Sequence, residues 1–330
     1  MLLDRHDSIL SDLDGVVYAG PFAIKGAVEA LNRAQKDSVP VAFVTNNASR
    51  SVDTVAKHLI DLGVNTDSEH VVSSAQAGAE MLREKLEPGS KVLVCGTESL
   101  ADCIRVVGLE PVWKQSDQPV AVVQGFNPKI GWEDLAEAAF TLADSNILWV
   151  ATNTDFTIPQ ERGIAPGNGT LVGAVATATG RTPLVAGKPE SAIFATGAKK
   201  LNSSRALVIG DRLDTDIQGG NRAEMATACV LTGVDTVESI LAAITIERPT
   251  YILNNLSELF EEYPAIETEK TISGFEARCA THSARADSET LAVTGDPESL
   301  NFWRIACAAW WAAHPDTQNT TYPQEIIRES

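Results

Sequence analysis

Two aspartates, Asp12 and Asp14, stand one residue apart beside Gly15, just past an apolar run within residues 8–18, SILSDLDGVVY. One carboxylate of such a pair can attack phosphorus and carry the phosphoryl group as an aspartyl phosphate, while another gives and takes protons. Three further segments follow in order, each behind an apolar, strand-like run. Residues 41–44 lead into Thr45, Asn46 and Asn47; residues 184–186 lead into Gly187, Lys188 and Pro189; residues 207–209 lead into Gly210 and Asp211, which opens the acidic string DRLDTD. Two carboxylates, a hydroxyl with amides, a lysine and a late acidic cluster are the inventory of phosphoryl transfer. A phosphomonoester carries about −1.5 to −2 charges near pH 7 and is repelled by bare carboxylates. A hard cation such as Mg2+, which takes oxygen ligands and keeps several waters, suits Asp12 with Asp211, and Lys188 adds a second positive charge. At about 4 Å and an effective dielectric of ~20, each unit charge pair is worth ~4 kcal/mol, enough to decide binding.

Other chemistries fit these residues poorly. Asp214, Asp216, Gln218 and Gly219 imitate the start of a calcium-binding EF-hand loop, but Met225 stands where the bidentate glutamate belongs. Gly167, Gly169 and Gly173 suggest a dinucleotide fingerprint, yet no strand-like run directly precedes them and no acidic residue follows at the expected distance. Gly187 and Lys188 echo a nucleoside-triphosphate loop, with Thr182 in place of its first glycine and Pro189 in place of its hydroxyl residue. Thr45, Asn46 and Asn47 also suit a helix N-cap, a geometry compatible with anion binding. Asp214 reads as a solvated turn residue, and Asp216 as a residue holding the metal ligands in place.

The elements that must position these groups alternate. Helical periodicity at residues 26–36, 52–62 and 75–86 separates the apolar runs, as in a doubly wound parallel sheet with its chemistry at the carboxyl ends of the strands. A second alternating set, with the strings KVLVCG, VAVVQG and ILWVATN as strands and a helix at 132–143, intervenes before the pattern returns near Lys188. The fold class expected is therefore α/β, with a core of residues 1–78 and 184–266 and an inserted α/β cap of residues 79–183. Residues 267–330 read as a small α+β appendage, with strands at 271–280 and 290–294 and a helix at 297–313 capped by Asp296. That helix gathers Trp303, Cys307, Trp310, Trp311 and His314 along one side, which reads as a core face docking on a short sheet.

The strings FVTNNASRS, PGNG, AGKP and GDRLDTDI, in this order behind DLDG, resemble the haloacid dehalogenase superfamily of phosphatases, and within it the NagD-like, p-nitrophenylphosphatase branch, over residues 7–260. The resemblance implies that Asp12 is the nucleophile, Asp14 the general acid and base, Thr45 the hydroxyl that holds the transferring group and Lys188 the neutralising lysine. It implies Mg2+ bound by Asp12, Asp211 and the backbone carbonyl of Asp14, and phosphate held by Thr45, Asn46, Asn47 and Lys188. In that branch the cap selects the substrate, which points to Asn153, Asp155, Arg162, Gly167, Asn168 and Gly169, with Arg181 a further cation. The likeness reaches actinobacterial glycerol 3-phosphate phosphatases with an extra C-terminal unit, and implies hydrolysis of glycerol 3-phosphate, with 2-phosphoglycolate or another small ester as the alternative. The appendage is faintly similar to part of an acetyltransferase fold and lacks the coenzyme A pattern, so it is expected to be noncatalytic, a binding or assembly module.

Composition agrees with a soluble metabolic enzyme. The 330 residues, 44% of them hydrophobic, are enough for two or three domains. No apolar run approaches the roughly 18 residues of a membrane span. Asp4 and Asp7 precede the first strand in place of a basic and then apolar leader, and five scattered cysteines without CxxC spacing fit reduced thiols, so a cytoplasmic location is expected. A net charge of −18 repels nucleic-acid backbones. The partners expected are a small phosphorylated metabolite, no nucleic acid, no membrane and, compatible with the tryptophan face, a second copy in a homodimer.

Overall fold

The computed structural model describes residues 1–48, 50–160 and 162–329; Ser49, inside the FVTNNASRS string, lies outside the described residues. The chain divides into two units, Met1–Val41 with Ser203–Ser330, and Ala42–Asn202.

In the first unit four parallel strands run in the order Tyr251–Leu253, Ala226–Val230, Ala206–Gly210, Ser8–Ser11. Ser8–Ser11 and Ala206–Gly210 are buried at every position, as strands covered on both faces must be. Register decides the chemistry. Ser11 pairs with Ile209, and the Asp12 amide donates to the Ile209 carbonyl at 2.8 Å, so Asp12 and the Gly210–Asp211 turn leave the sheet at the same edge. Asp7 fixes the start of that pairing: its carboxylate accepts from the Ser204 and Arg205 amides, each at 3.1 Å, and from the Ser203 hydroxyl.

The appendage belongs to this unit. Its sheet runs Glu267–Thr271, Gly274–Cys279, His282–Ala286, Thr290–Thr294 and Glu325–Glu329, antiparallel except for the last pair. The single strand expected at 271–280 is two strands joined by a tight turn, and Gly274, at φ +144, must be glycine because a Cβ there would lie 2.1 Å from the Ala286 carbonyl oxygen. The helix expected from 297 runs Leu300–Ala313. Asp296 spends its carboxylate on the Glu298 amide at 3.0 Å, one turn too early, and Ser299, extended at φ −80 and ψ 131, caps the helix by accepting from the Asn301 amide. Strands His282–Ala286 and Glu325–Glu329 have no counterpart in the sequence reading.

Trp310 and Cys307 are buried under that helix, in one apolar cluster with Ile240, Leu241 and Ile252. Trp310 donates to the Thr321 carbonyl at 2.8 Å and Trp311 to the Leu241 carbonyl at 3.2 Å. Arg304, 8% exposed, reaches the Ile252 carbonyl at 2.7 and 3.0 Å and pairs with Glu258 at 2.6 Å. Two donor contacts to the Ile252 carbonyl and one to Glu258, from one buried guanidinium, fasten the appended helix to the edge strand of the parallel sheet and to the short 3-10 turn that follows it.

The second unit contains the parallel pairing of Phe43, Val44 and Thr45 with Val71, Val72 and Ser73 and a five-stranded parallel sheet in the order Leu184–Val185, Leu148–Ala151, Ala121–Gln124, Lys91–Cys95, Glu110–Val112. Helices Trp132–Leu142 and Asn168–Thr179 cover one face, burying Trp149, Val122, Leu142, Val172 and Val175. Leu184–Val185, the run just before Gly187 and Lys188, pairs with Leu148–Ala151 of this sheet. An antiparallel hairpin, Thr157–Gln160 with Gly163–Pro166, stands before the helix Asn168–Thr179. Among the described residues no helix is long and apolar enough to cross a membrane.

Candidate active site

The first unit brings three carboxylates together. One oxygen from each of Asp12, Asp211 and Asp216 lies within 4.8 Å of the others. Asp211 and Asp216 are 2% and 1% exposed. Like charges this close and this buried oppose one another unless a cation or hydrogen bonds offset them. The Asp211 carboxylate accepts the Val234 amide at 2.8 Å and Asp216 the Arg212 amide at 3.3 Å. An all-oxygen set of three carboxylates is the donor chemistry that Mg2+ or Ca2+ selects.

Two glycines make room for Asp211. A Cβ on Gly15 would stand 2.2 Å from its carboxylate oxygen, and one on Gly233 would stand 1.9 Å away. Gly15 also sits at φ +77, where side chains are strained, as the chain turns to pass Asp14, an exposed residue bridged to Tyr18. The Thr232 hydroxyl donates to the Gly15 carbonyl at 2.6 Å, binding the two loops that enclose Asp211. Asp235 accepts the Leu213 amide at 2.7 Å and steadies the wide turn Leu213–Ile217 that carries Asp216. Neither Gly233 nor Asp235 was singled out from the sequence; the only available signal was the TGVD string following the apolar strand. Asp214 pairs with Arg212 at 2.9 Å on the surface, the solvated turn expected of it.

The second unit gathers Thr45, Asn46, Lys188, Asn153 and Asp155. Lys188 is 5% exposed, and its Nζ donates to the Val44 carbonyl at 3.5 Å, one residue before Thr45. Thr45 Oγ1 accepts the Asn47 amide at 3.1 Å, and Asn47 Oδ1 the Arg50 amide at 3.3 Å. The helix Val52–Asp61 takes its cap from Ser51, which leaves Thr45 outside the capping geometry. Asn46 points its amide at Lys188: Oδ1 accepts the Lys188 N–H at 2.7 Å and Nδ2 donates to the Lys188 carbonyl at 3.1 Å. Asn153 donates to the Asn46 carbonyl at 2.8 Å, and Asp155 accepts from Asn46 Nδ2 at 3.4 Å.

The other cap residues support that loop. Asn168 is 1% exposed and donates to the Asn153 carbonyl at 2.7 Å. The Gly169 amide donates to the Asp155 carbonyl at 2.9 Å, and Gly167, at the start of the helix, would put a Cβ 2.2 Å from the same oxygen. Arg162 is exposed in the hairpin turn. Arg181 spends its guanidinium on the carbonyls of Leu142, Asp144 and Ile147, closing a helix end. No cysteine competes as a nucleophile among those with shifted thiols: burial, with Asp134 nearby, pushes Cys95 up to about 12, and burial beside Asp102 pushes Cys103 up to about 11.

Known families and structures share this framework. The haloacid dehalogenase-like hydrolase family matches residues 9–110, and a HAD-hydrolase-like family matches residues 185–259. The D-glycerol 3-phosphate phosphatase of Mycobacterium tuberculosis is 47% identical over 261 residues, 79% of this chain and 73% of that one. The acid sugar phosphatase of Staphylococcus saprophyticus is 33% identical over 79% of this chain and 99% of its own. Among solved structures, a glycerol phosphate phosphatase of M. tuberculosis in complex with calcium superposes with a TM-score of 0.86 at 40% identity, covering 100% of this chain and 95% of that one. Its magnesium complex gives 0.83 at 39%, with the same coverage. A p-nitrophenyl phosphatase from Archaeoglobus fulgidus gives 0.70 at 30%, covering 77% of this chain and 98% of that one.

Proposed function

The chain belongs to the haloacid dehalogenase-like hydrolases and is a phosphatase of that family, and from this premise we propose that it is a Mg2+-dependent phosphomonoesterase working through an aspartyl phosphate on Asp12. The cluster of Asp12, Asp211 and Asp216 at the carboxyl edge of the parallel sheet carries this reading. Asp12, Asp211 and the Asp14 carbonyl would hold the ion, and Asp216, whose carboxylate belongs to the same cluster, stands with them. When bound, Mg2+ supplies the positive charge that lets a dianionic ester approach these carboxylates.

Asp12 attacks phosphorus in line as Asp14, protonated, passes its proton to the departing alkoxide oxygen; Asp14 then takes a proton from the water that hydrolyses the acyl phosphate. Thr45 and Asn47 hold the phosphoryl oxygens, and Lys188, buried with its charge, offsets theirs. Residues 1–78 and 184–266 form the catalytic core in this reading, residues 79–183 the cap that selects the substrate, and residues 267–330 a noncatalytic unit. The substrate proposed is glycerol 3-phosphate, released as glycerol and phosphate, supported by the 47% identity to an enzyme named for that reaction. A cytoplasmic location and a homodimer are part of the same reading. The alternative is 2-phosphoglycolate or another small ester, for which exposed Arg162 offers a carboxylate partner.

The test is phosphate release from glycerol 3-phosphate, 2-phosphoglycolate, sugar phosphates and p-nitrophenyl phosphate, with Mg2+ and with chelator, beside Asp12→Asn. Release that needs both Mg2+ and Asp12 and is fastest on glycerol 3-phosphate is expected. A preference for another ester replaces the substrate, and release that survives Asp12→Asn rejects the mechanism.

A further inference from the structure

Asn46 lies in the phosphate-binding string, yet its side chain is turned to another task. Its amide meets both backbone groups of Lys188, accepting the N–H at 2.7 Å and donating to the carbonyl at 3.1 Å, as a neighbouring strand would. Lys188 needs such a partner because the strand Leu184–Val185 has ended and the helix Ala192–Lys200 has not begun. The approach depends on Gly187: a Cβ there would stand 2.6 Å from Asn46 Oδ1 and 2.5 Å from the Thr152 carbonyl oxygen. Asn46 is itself held, its carbonyl accepting the Ser74 hydroxyl and the Asn153 amide, each at 2.8 Å. Asn153 is held by Asn168 at 2.7 Å. A continuous chain of hydrogen bonds therefore runs from the start of the helix Asn168–Thr179 through Asn153 and Asn46 to the backbone of Lys188.

We propose that Asn46 is a positioning residue: it fixes the backbone from which Lys188 projects, and through Asn153 and Asp155 ties the setting of that lysine to the loop at residues 153–155. This deepens the phosphatase reading and rests on it. It assigns to Asn46 an action through Lys188 in place of direct phosphate contact.

A double-mutant cycle separates the two roles. If Asn46 acts through Lys188, Asn46→Ala lowers kcat/KM about 10- to 100-fold in the wild-type background, the scale of losing an outer support of a site, and less than about 3-fold in the Lys188→Ala background. The same non-additivity is expected in the affinity for inorganic phosphate with Mg2+, measured by titration calorimetry, which decides the matter even where turnover is too slow to follow. Additive losses, with the variants shown to be folded by thermal unfolding, overturn the proposal. A wild-type protein that binds phosphate but cleaves no ester defeats the phosphatase reading alone, and the binding cycle still decides this one.

Discussion

Replacing Gly233 by alanine adds one methyl group and tests the geometry around Asp211 directly. Gly233 has an ordinary backbone conformation, so the substitution brings no dihedral strain of the kind Gly15, at φ +77, would suffer. Its Cβ would nevertheless stand 1.9 Å from Asp211 Oδ2, 2.4 Å from Cγ and 2.5 Å from Cβ. Real Cβ contacts do not fall below 3.0 Å, so the carboxylate or the loop must move by about 1 Å or more. Retreat is hindered, because the same oxygen is held by the Val234 amide at 2.8 Å and faces Gly15 on the other side. Mg2+ demands near-octahedral oxygen ligands at about 2.0–2.1 Å, and a displacement of about 1 Å takes a carboxylate out of that shell. Misplacement on this scale costs about 100-fold in rate, with about 1–3 kcal/mol of folding stability lost to overpacking. The assay is steady-state phosphate release across a Mg2+ titration, with thermal unfolding as the control. Gly233→Ala is expected to raise the Mg2+ concentration for half-maximal activity at least about 10-fold and to lower kcat at saturating Mg2+. A variant that keeps wild-type kcat and Mg2+ dependence refutes the claim that Asp211 is seated between these glycines as a metal ligand.

Lys188→Ala should lower kcat/KM about 100- to 1,000-fold, from the loss of a charge pair worth ~4 kcal/mol near a partly screened site; near wild-type phosphate release removes Lys188 from the mechanism. Arg304→Met strands Glu258 and the Ile252 carbonyl, a break that costs about 3–5 kcal/mol for a buried pair. Calorimetry should show the melting temperature falling by roughly 6 °C or more, with the activity of the folded fraction retained at 25 °C; an unchanged melting temperature contradicts the role given to Arg304. Asp7 gives a pH dependence. Slight burial raises its pKa, but hydrogen bonds from Ser203, Ser204 and Arg205 outweigh that and hold it at about 2, below the ordinary 3.8. A depressed carboxyl stabilises the fold above its unfolded pKa, and that contribution is lost as pH falls from about 4 through 2. Discounted for its exposure, Asp7→Asn should cost about 1 kcal/mol in denaturant unfolding at pH 7 and progressively less below pH 4. A cost that stays constant down to pH 2 rules out this account.

Residues were legible in the sequence where their chemistry and their local geometry coincide. Asp12 and Asp211 each follow an apolar strand by one or two residues and precede a glycine-bearing or acidic turn, so a strand-then-chemistry pattern was enough to pick out two members of the carboxylate cluster. That Asp216 brings its carboxylate beside Asp12 could not be read in advance, because it depends on the wide turn Leu213–Ile217 and on the pairing of Ser11 with Ile209, and neither is encoded within a short window. Gly233 has no motif at all; its meaning comes from an oxygen atom contributed by a residue 22 positions earlier. Asn46 was legible as part of the TNN string but not in its orientation, since Gly187 and Asn153 set that from distant segments. In the appendage, the helix was recognised and its start misplaced, because Asp296 and Ser299 are both good caps and only the extended backbone of Ser299 decides between them.

The appended unit shows why sequence families and folding units need not share a boundary. The matched families end at residue 259, and the Archaeoglobus enzyme aligns with 77% of this chain, so a phosphatase of this family can do without a segment of this kind. In this chain, however, Ile240, Leu241 and Ile252 are buried in the same cluster as Ile305, Cys307 and Trp310. Burial of side chains of that size is worth about 1.5–3 kcal/mol each, and Arg304 adds its bonds to Ile252 of the edge strand and to Glu258 in the turn after it. A helix joined to the parallel sheet by apolar packing and a buried guanidinium is part of what keeps the edge strand Tyr251–Leu253 in place. That strand holds Ala226–Val230, which holds Ala206–Gly210, whose end carries Asp211. The unit can thus stand apart from the clustered carboxylates of Asp12, Asp211 and Asp216 and still set the rigidity of the sheet from which they project.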